Sequence, residues 1–128
     1  MKKSFVNSWN SSKQPRKQRK YRYNAALHVS GKFLSVNLSK DLRKKYTFRS
    51  LRARKGDKIK VMRGQHKGKV GKIDRISLKY VKIYVNGIEM LRKDGTKTLI
   101  PLEPSNLQLT ELDLSDKKRM SKNGKKTS

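Results

Sequence analysis

The chain has 128 residues, the size of one domain, and sets 35 Lys and Arg against nine Asp and Glu, a formal net charge of +26. Such an excess opposes compaction by self-repulsion, so a partner of opposite sign belongs to the working molecule; with 33% hydrophobic residues, part of the chain is expected to order only on binding. The absence of cysteine excludes disulfides and Cys-ligated zinc, and no run approaches the roughly 18 apolar residues of a membrane span.

The amino-terminal segment MKKSFVNSWNSS has no apolar stretch of the kind a secretory signal carries. A reducing, cytoplasmic setting without membrane contact is therefore expected, and the N-x-S matches at Asn10 and Asn37 are chance. Residues 1–55 hold 17 Lys and Arg and a single acid, Asp41, for a net charge of +16. No hydrophobic period is sustained over residues 1–37, which predicts a basic extended arm. Phe5 and Trp9 either anchor this arm in a pocket or stay unordered. In SKQPRKQRKYRYN, six cations (Lys13, Arg16, Lys17, Arg19, Lys20 and Arg22) interleave with Gln14, Gln18, Tyr21, Tyr23 and Asn24. That mixture combines phosphate-directed charge with groups that stack on bases or bond to sugars. A solubilising tail or a nuclear import signal would not need the tyrosines.

Residues 38–50 are read as a short helix and linker. In LSKDLRKKY, Ser39 is placed to cap the helix, Asp41 sits in its first turn, and Arg43, Lys44 and Lys45 sit where the helix dipole favours cations. Leu38, Leu42 and Tyr46 recur at i, i+4 and i+8, a side suited to docking on the next domain.

Residues 56–114 are milder, at net +5, and their apolar residues recur with period two. KIKVMR turns Ile59 and Val61 inward; KYVKIYV turns Val81, Ile83 and Val85 inward and Tyr80, Lys82 and Tyr84 outward. Between them, Val70, Ile73 and Ile76 slip out of alternation after Gly71, which marks a bulge or a close backbone approach. Gly64–Gly68 (GQHKG) closes a first hairpin, and Asp94-Gly95 turns into a strand at Lys97–Ile100. A last strand at Leu107–Leu112 follows PLEPSN, whose prolines suit an edge or loop. Five short antiparallel strands predict a mainly β fold, a small SH3-like barrel over residues 51–114 that closes to remove exposed edges. Residues 115–128 form a basic tail, net +5.

Little here suggests catalysis. His28 and His66 are far apart and neither has a second ligand at metal spacing, so no metal is expected. The acids form no acid-base pair, and no cofactor or small-molecule substrate is implied. GQHKGK fails as a nucleotide-binding loop because three residues separate Gly64 from Gly68 and Val70 follows Lys69. A glycine turn that lets backbone N–H groups, Lys67, Lys69 and Lys72 approach a nucleic-acid backbone fits better.

KGDKIKVMRGQHKGKVGKIDRISLKYVKIYVNGI resembles the KOW motif. SKQPRKQRKYRYNAALH resembles the arm of the archaeal and eukaryotic form of universal large-subunit ribosomal protein twenty-four, twenty-six in eukaryotes, and PLEPSNLQL is similar to its closing segment. The likeness runs from about Ser12 to Arg119. It implies an SH3-like barrel with an amino-terminal extension, bound to large-subunit rRNA early in assembly, near the exit of the nascent-chain tunnel. Implied partners are rRNA, neighbouring ribosomal proteins, and nascent chain or targeting factors at the exit, with nuclear or nucleolar transit if the cell has a nucleus.

The resemblance carries over to Lys13, Gln14, Arg16, Lys17, Arg19, Lys20, Tyr23, Asn24 and His28 in the arm. In the barrel it carries over to Gly56, Asp57, Arg63, Gly64, Lys67, Gly68, Gly71, Pro104, Ser105 and Asn106. Except for Gly56, Asp57, Gly71 and Pro104, these positions are expected to bind RNA, and Tyr21, Arg22, Arg52, Arg54, Lys55, His66, Lys69 and Lys72 complete the expected RNA-binding set. Ser30-Gly31 depart from the family's basic pattern. KOW sequences also occur in transcription elongation factors of the NusG type, but the chain has no room for the extra amino-terminal domain those factors resemble.

Overall fold

In the computed structural model, residues 5–6, 8–9 and 11–121 are described; the rest of the leader and of the basic tail lie outside them. Eight strands follow in chain order: β1 (Ser35–Leu38), β2 (Ser50–Arg52), β3 (Lys58–Val61), β4 (Val70–Ser77), β5 (Lys82–Val85), β6 (Glu89–Leu91), β7 (Lys97–Leu99) and β8 (Leu107–Glu111). The first five and β8 form one sheet of order β2-β1-β8-β3-β4-β5, and β6 pairs with β7 in a separate hairpin. The mainly β class holds. The barrel does not close, because β2 and β5 end the sheet without pairing; the free edge of β5 is met instead by a bridge between Ile83 and Leu102.

The period-two reading is realised in the core. Ile59, Val61, Val81, Ile83 and Val85 are buried, joined by Ile73, Leu107 and Leu109. Gly71 is the close approach its position suggested: a Cβ there would meet the Asn86 carbonyl and the Val85 side chain, each at 2.6 Å. The register slip in β4 falls later, between Ile73 and Arg75. The first hairpin closes as expected, with Val61 N donating to Lys69 O and Gly68 N to Val61 O. The Asp94-Gly95 turn is bridged by Arg92 N to Thr96 O.

The core also draws on residues ahead of 51, where charge had masked short apolar runs. Val36 and Leu38 of β1 are buried between β2 and β8, with β1 antiparallel to β2 and parallel to β8. The short helix α3 (Lys40–Tyr46) forms as predicted: Ser39 Oγ accepts from Leu42 N, Asp41 is in the first turn, and Arg43, Lys44 and Lys45 are in the last. Tyr46 is buried and Leu42 packs against the core.

The extended conformation expected for residues 1–37 is corrected. Two helices occupy this stretch, α1 (Pro15–Asn24) and α2 (Leu27–Phe33), followed by β1. Pro15 stands at the helix start, where its missing N–H costs nothing, and Arg, Lys and Gln are good helix formers. Helix α1 buries no residue, so a search for an apolar stripe cannot find it. Phe5 and Trp9 take the first of their two alternatives. Trp9 stacks on Tyr21 at 4.6 Å and 19°, Phe5 meets Tyr21 at 5.1 Å, and Tyr21 reaches Phe33 of α2 at 5.9 Å.

A short helix α4 (Lys118–Ser121) follows β8 and brings Arg119 back to the head of β3. Arg119 Nη1 and Nη2 donate to the two Asp57 carboxylate oxygens at 2.7 and 2.5 Å, and further to Asp113 O and Arg52 O. Asp57 also accepts from Arg54 N and Asp113 N, both at 2.9 Å. The pair is buried, at 0% and 3% side-chain exposure for Asp57 and Arg119.

Candidate nucleic-acid interface

Helix α1 presents five cations, Arg16, Lys17, Arg19, Lys20 and Arg22, within ten residues that include no acid. None of the five has a carboxylate partner among the described residues. Its first turn, where the helix dipole favours anions, holds Arg16 and Lys17 instead. Such a helix gains from an external anion along its length. Arg16, Arg19 and Tyr23 recur at i, i+3 and i+7 on one face, and Tyr23 is 89% exposed. Tyr21 is half-buried in the aromatic cluster, so of the two predicted stacking residues only Tyr23 has a ring largely free. Lys13 and Gln14 precede the helix and are exposed, with Gln14 at its N-cap.

Helix α2 brings His28 against β2. His28, Gly31, Lys32, Ser35 and Arg52 line a cleft of about 270 Å³. A Cβ on Gly31 would lie 2.5 Å from the Arg52 guanidinium, so the departure from a basic residue there is what lets Arg52 settle over α2. The charge is supplied from β2 instead.

A third group surrounds the β3–β4 turn. Gly64 and Gly68 adopt φ of +94° and +89°, with nothing within 4 Å of where a Cβ would stand. Positive φ makes glycine the natural residue, and the open space leaves the backbone approachable. The turn carries Arg63, Lys67 and Lys69 exposed, with His66 half-buried. Met62 N donates to Asn106 O at 2.8 Å, which ties the turn to the single-turn helix η1 (Pro104–Asn106). The structure thus joins Arg63–Lys69 with Ser105 and Asn106, far apart in sequence.

Other expected residues stand apart from these groups. Arg54 Nη1 donates to Asp116 Oδ2 at 2.6 Å, and that bond, followed by the Lys118 N–H, holds the Asp116 carboxyl below the usual range. Lys72 lies opposite Lys58 across β3 and β4, a like-charge pair relieved by Lys58 Nζ donating to Glu111 at 2.9 Å. Lys55 and Lys72 are exposed. Asp57, carried over with the KOW resemblance, is buried beneath Arg119 and does not face solvent. Sequence reasoning missed Lys32 in the α2 cleft. It also missed the structural task of Arg119, because one arginine among the tail's lysines carries no signal until a buried carboxylate is found beneath it.

Fold and surface together define a small, mainly β, strongly basic protein whose most cationic element is a helix without acids. The family that comprises eukaryotic ribosomal protein L26 and its archaeal counterpart matches residues 12–126, and the chain belongs to that family. It is 49% identical over 108 residues to a protein of Methanoculleus marisnigri named large ribosomal subunit protein uL24, covering 84% of this chain and 89% of that one. Proteins of the same name from Methanospirillum hungatei and Methanosarcina barkeri are 47% and 49% identical over 111 and 110 residues. These matches cover 87% and 86% of this chain and 92% and 95% of the relatives. The family is one of structural ribosomal proteins, and the chain is not an enzyme.

Proposed function

We propose that the chain is a structural constituent of the large ribosomal subunit that binds its rRNA, and so resides on the cytoplasmic ribosome. The observation that carries this reading is α1, five cations without an internal counter-charge on a helix in which no residue is fully buried. The α2 cleft and the glycine turn add two more cationic surfaces held in fixed relation to the sheet. Phosphate contacts from Lys13, Arg16, Lys17, Arg19, Lys20, Arg22, Arg52, Arg63, Lys67 and Lys69 would set register on folded RNA. Tyr23, Gln14, Asn24, His28, Ser105 and Asn106 would add stacking or sugar contacts.

Each phosphate neutralised releases counterions, so log affinity should fall with log salt by about 0.7 to 0.9 per contact. The test compares the full chain with a variant carrying Gln at Arg16, Lys17, Arg19, Lys20 and Arg22, on a large-subunit rRNA fragment across a salt series. The variant should bind more weakly with a shallower slope. Equal affinity and slope would refute the role of α1.

The resemblance to the ribosomal family extends the proposal to early assembly and a position near the tunnel exit, among neighbouring ribosomal proteins. There the β6–β7 hairpin, with Met90 and Leu91 exposed, is the element offered to nascent chain or targeting factors. Crosslinking from Met90 or Arg92 on assembled subunits tests that placement; crosslinks confined to rRNA would refute contact with nascent chain.

A further inference from the structure

We infer that Phe5, Trp9 and α1 form a pocket for a single unpaired nucleotide, its base laid against Trp9 and its phosphate held by Lys17 and Lys20. This rests on the RNA-binding reading above and assigns it a particular subsite. The cleft has a volume of about 330 Å³ and is lined chiefly by Phe5, Trp9, Lys17, Lys20, Tyr21 and Asn24.

Three features make it a nucleotide site. The aromatic wall is prebuilt: Tyr21 is held between Trp9, Phe5 and Phe33, which fixes the Trp9 ring parallel to it while Trp9 remains 39% exposed. A base laid against Trp9 meets a ring already held by its neighbours and does not have to order a loose side chain. Secondly, Lys17, Lys20, Tyr21 and Asn24 recur at i, i+3, i+4 and i+7, so one face of α1 supplies two cations, a ring and an amide together. The Asn24 amide offers both donor and acceptor to a base edge. Thirdly, no acid is among the described residues that line the cleft, so the only charges they present to an entering anion are those of Lys17 and Lys20.

Paired bases are excluded because their faces are already occupied within the helix stack, so the ligand is a base in a loop, a bulge or a single strand. The family match begins at residue 12, so Phe5 and Trp9 extend the pocket beyond the matched region.

Trp9 is the chain's one tryptophan, so its emission reports on the pocket directly. The full chain is titrated with a large-subunit rRNA fragment containing unpaired loops, with a fully paired duplex of equal length, and with polyphosphate and polyglutamate, while binding is followed separately by filter retention. Emission should be quenched by the looped fragment and unchanged by duplex and by both base-free polyanions. Trp9→Ala should weaken binding of the looped fragment about tenfold, Trp9→Phe should retain most of the affinity, and both should keep the far-ultraviolet dichroism of the parent. RNA retained on the filter with emission unchanged, or with Trp9→Ala binding as tightly as the parent, overturns the pocket and leaves the proposed function standing. Equal quenching by polyphosphate or polyglutamate overturns it as well, since the signal then needs no base. Failure of every RNA to bind overturns both readings.

Discussion

Removing either side chain of the Asp57–Arg119 pair should destabilise the protein more than neutralising any exposed cation. Arg119→Met leaves a buried carboxylate with two backbone donors, Arg54 N and Asp113 N, and no counter-charge, while Arg52 O and Asp113 O lose a donor each. Asp57→Asn leaves the guanidinium buried without its anion and turns an amide NH2 toward groups that are themselves donors. Breaking a buried ion pair from one side costs about 3–5 kcal/mol, a large share of the roughly 5–15 kcal/mol that holds a domain together. At about 4 °C or more per kcal/mol for a domain near this size, each single variant should melt more than about 10 °C lower.

The double variant should lose less than the sum of the singles, by about 1–3 kcal/mol, because neither leaves the other's charge stranded. Among the described residues the Arg119 Nε has no hydrogen-bond partner, so the pair is imperfectly satisfied and its joint replacement is correspondingly mild. Urea unfolding followed by circular dichroism, extrapolated linearly for parent, singles and double, gives all four free energies. Single variants within about 1 kcal/mol of the parent, or strictly additive losses, would refute the reasoning.

Two further outcomes follow from local geometry. Gly71→Ala should cost about 1–3 kcal/mol in urea unfolding, because its Cβ would meet a backbone carbonyl and a core valine at 2.6 Å and the β4–β5 pairing must shift; a variant as stable as the parent would show that strand to be compliant. Asp94 Oδ1 accepts from the Thr96 hydroxyl at 2.7 Å and the Thr96 N–H at 3.0 Å, the hydroxyl being the stronger cause of a carboxyl held below its ordinary value. A lowered folded-state value means that this turn stabilises the protein at neutral pH and loses that contribution as pH falls through the folded carboxyl's titration. Thr96→Val should move the Asp94 titration, followed by carboxyl NMR, upward toward an ordinary aspartate; an unchanged midpoint would assign the shift elsewhere.

Strict alternation made Lys58–Val61 and Lys82–Val85 legible in the sequence, and glycine turns and flanking prolines marked out Val70–Ser77, Lys97–Leu99 and Leu107–Glu111, although the apolar residues of Val70–Ser77 slip out of alternation. Helix α3 was legible from Ser39 and the i, i+4 apolar pair. Strands β1 and β2 were not, because three or four residues embedded among cations carry too short a pattern to register. In the candidate interface, the arm's cations, Tyr23 and the glycine turn were visible in composition. The half-burial of Tyr21 was not, since it depends on which way Phe5, Trp9 and Phe33 turn.

Charge and residue type by themselves determined that this is a mainly β, strongly basic chain in need of an anion, since charge and period two are local and additive. Tertiary structure alone decided which parts of the basic segments are scaffold. It placed β1 beside β8 in a parallel pair separated by some seventy residues, joined the glycine turn to Asn106, and buried Arg119 on Asp57. Each is a contact between distant segments, whose free energy depends on burial and on the partner found across the sheet, and neither quantity is written in either segment alone.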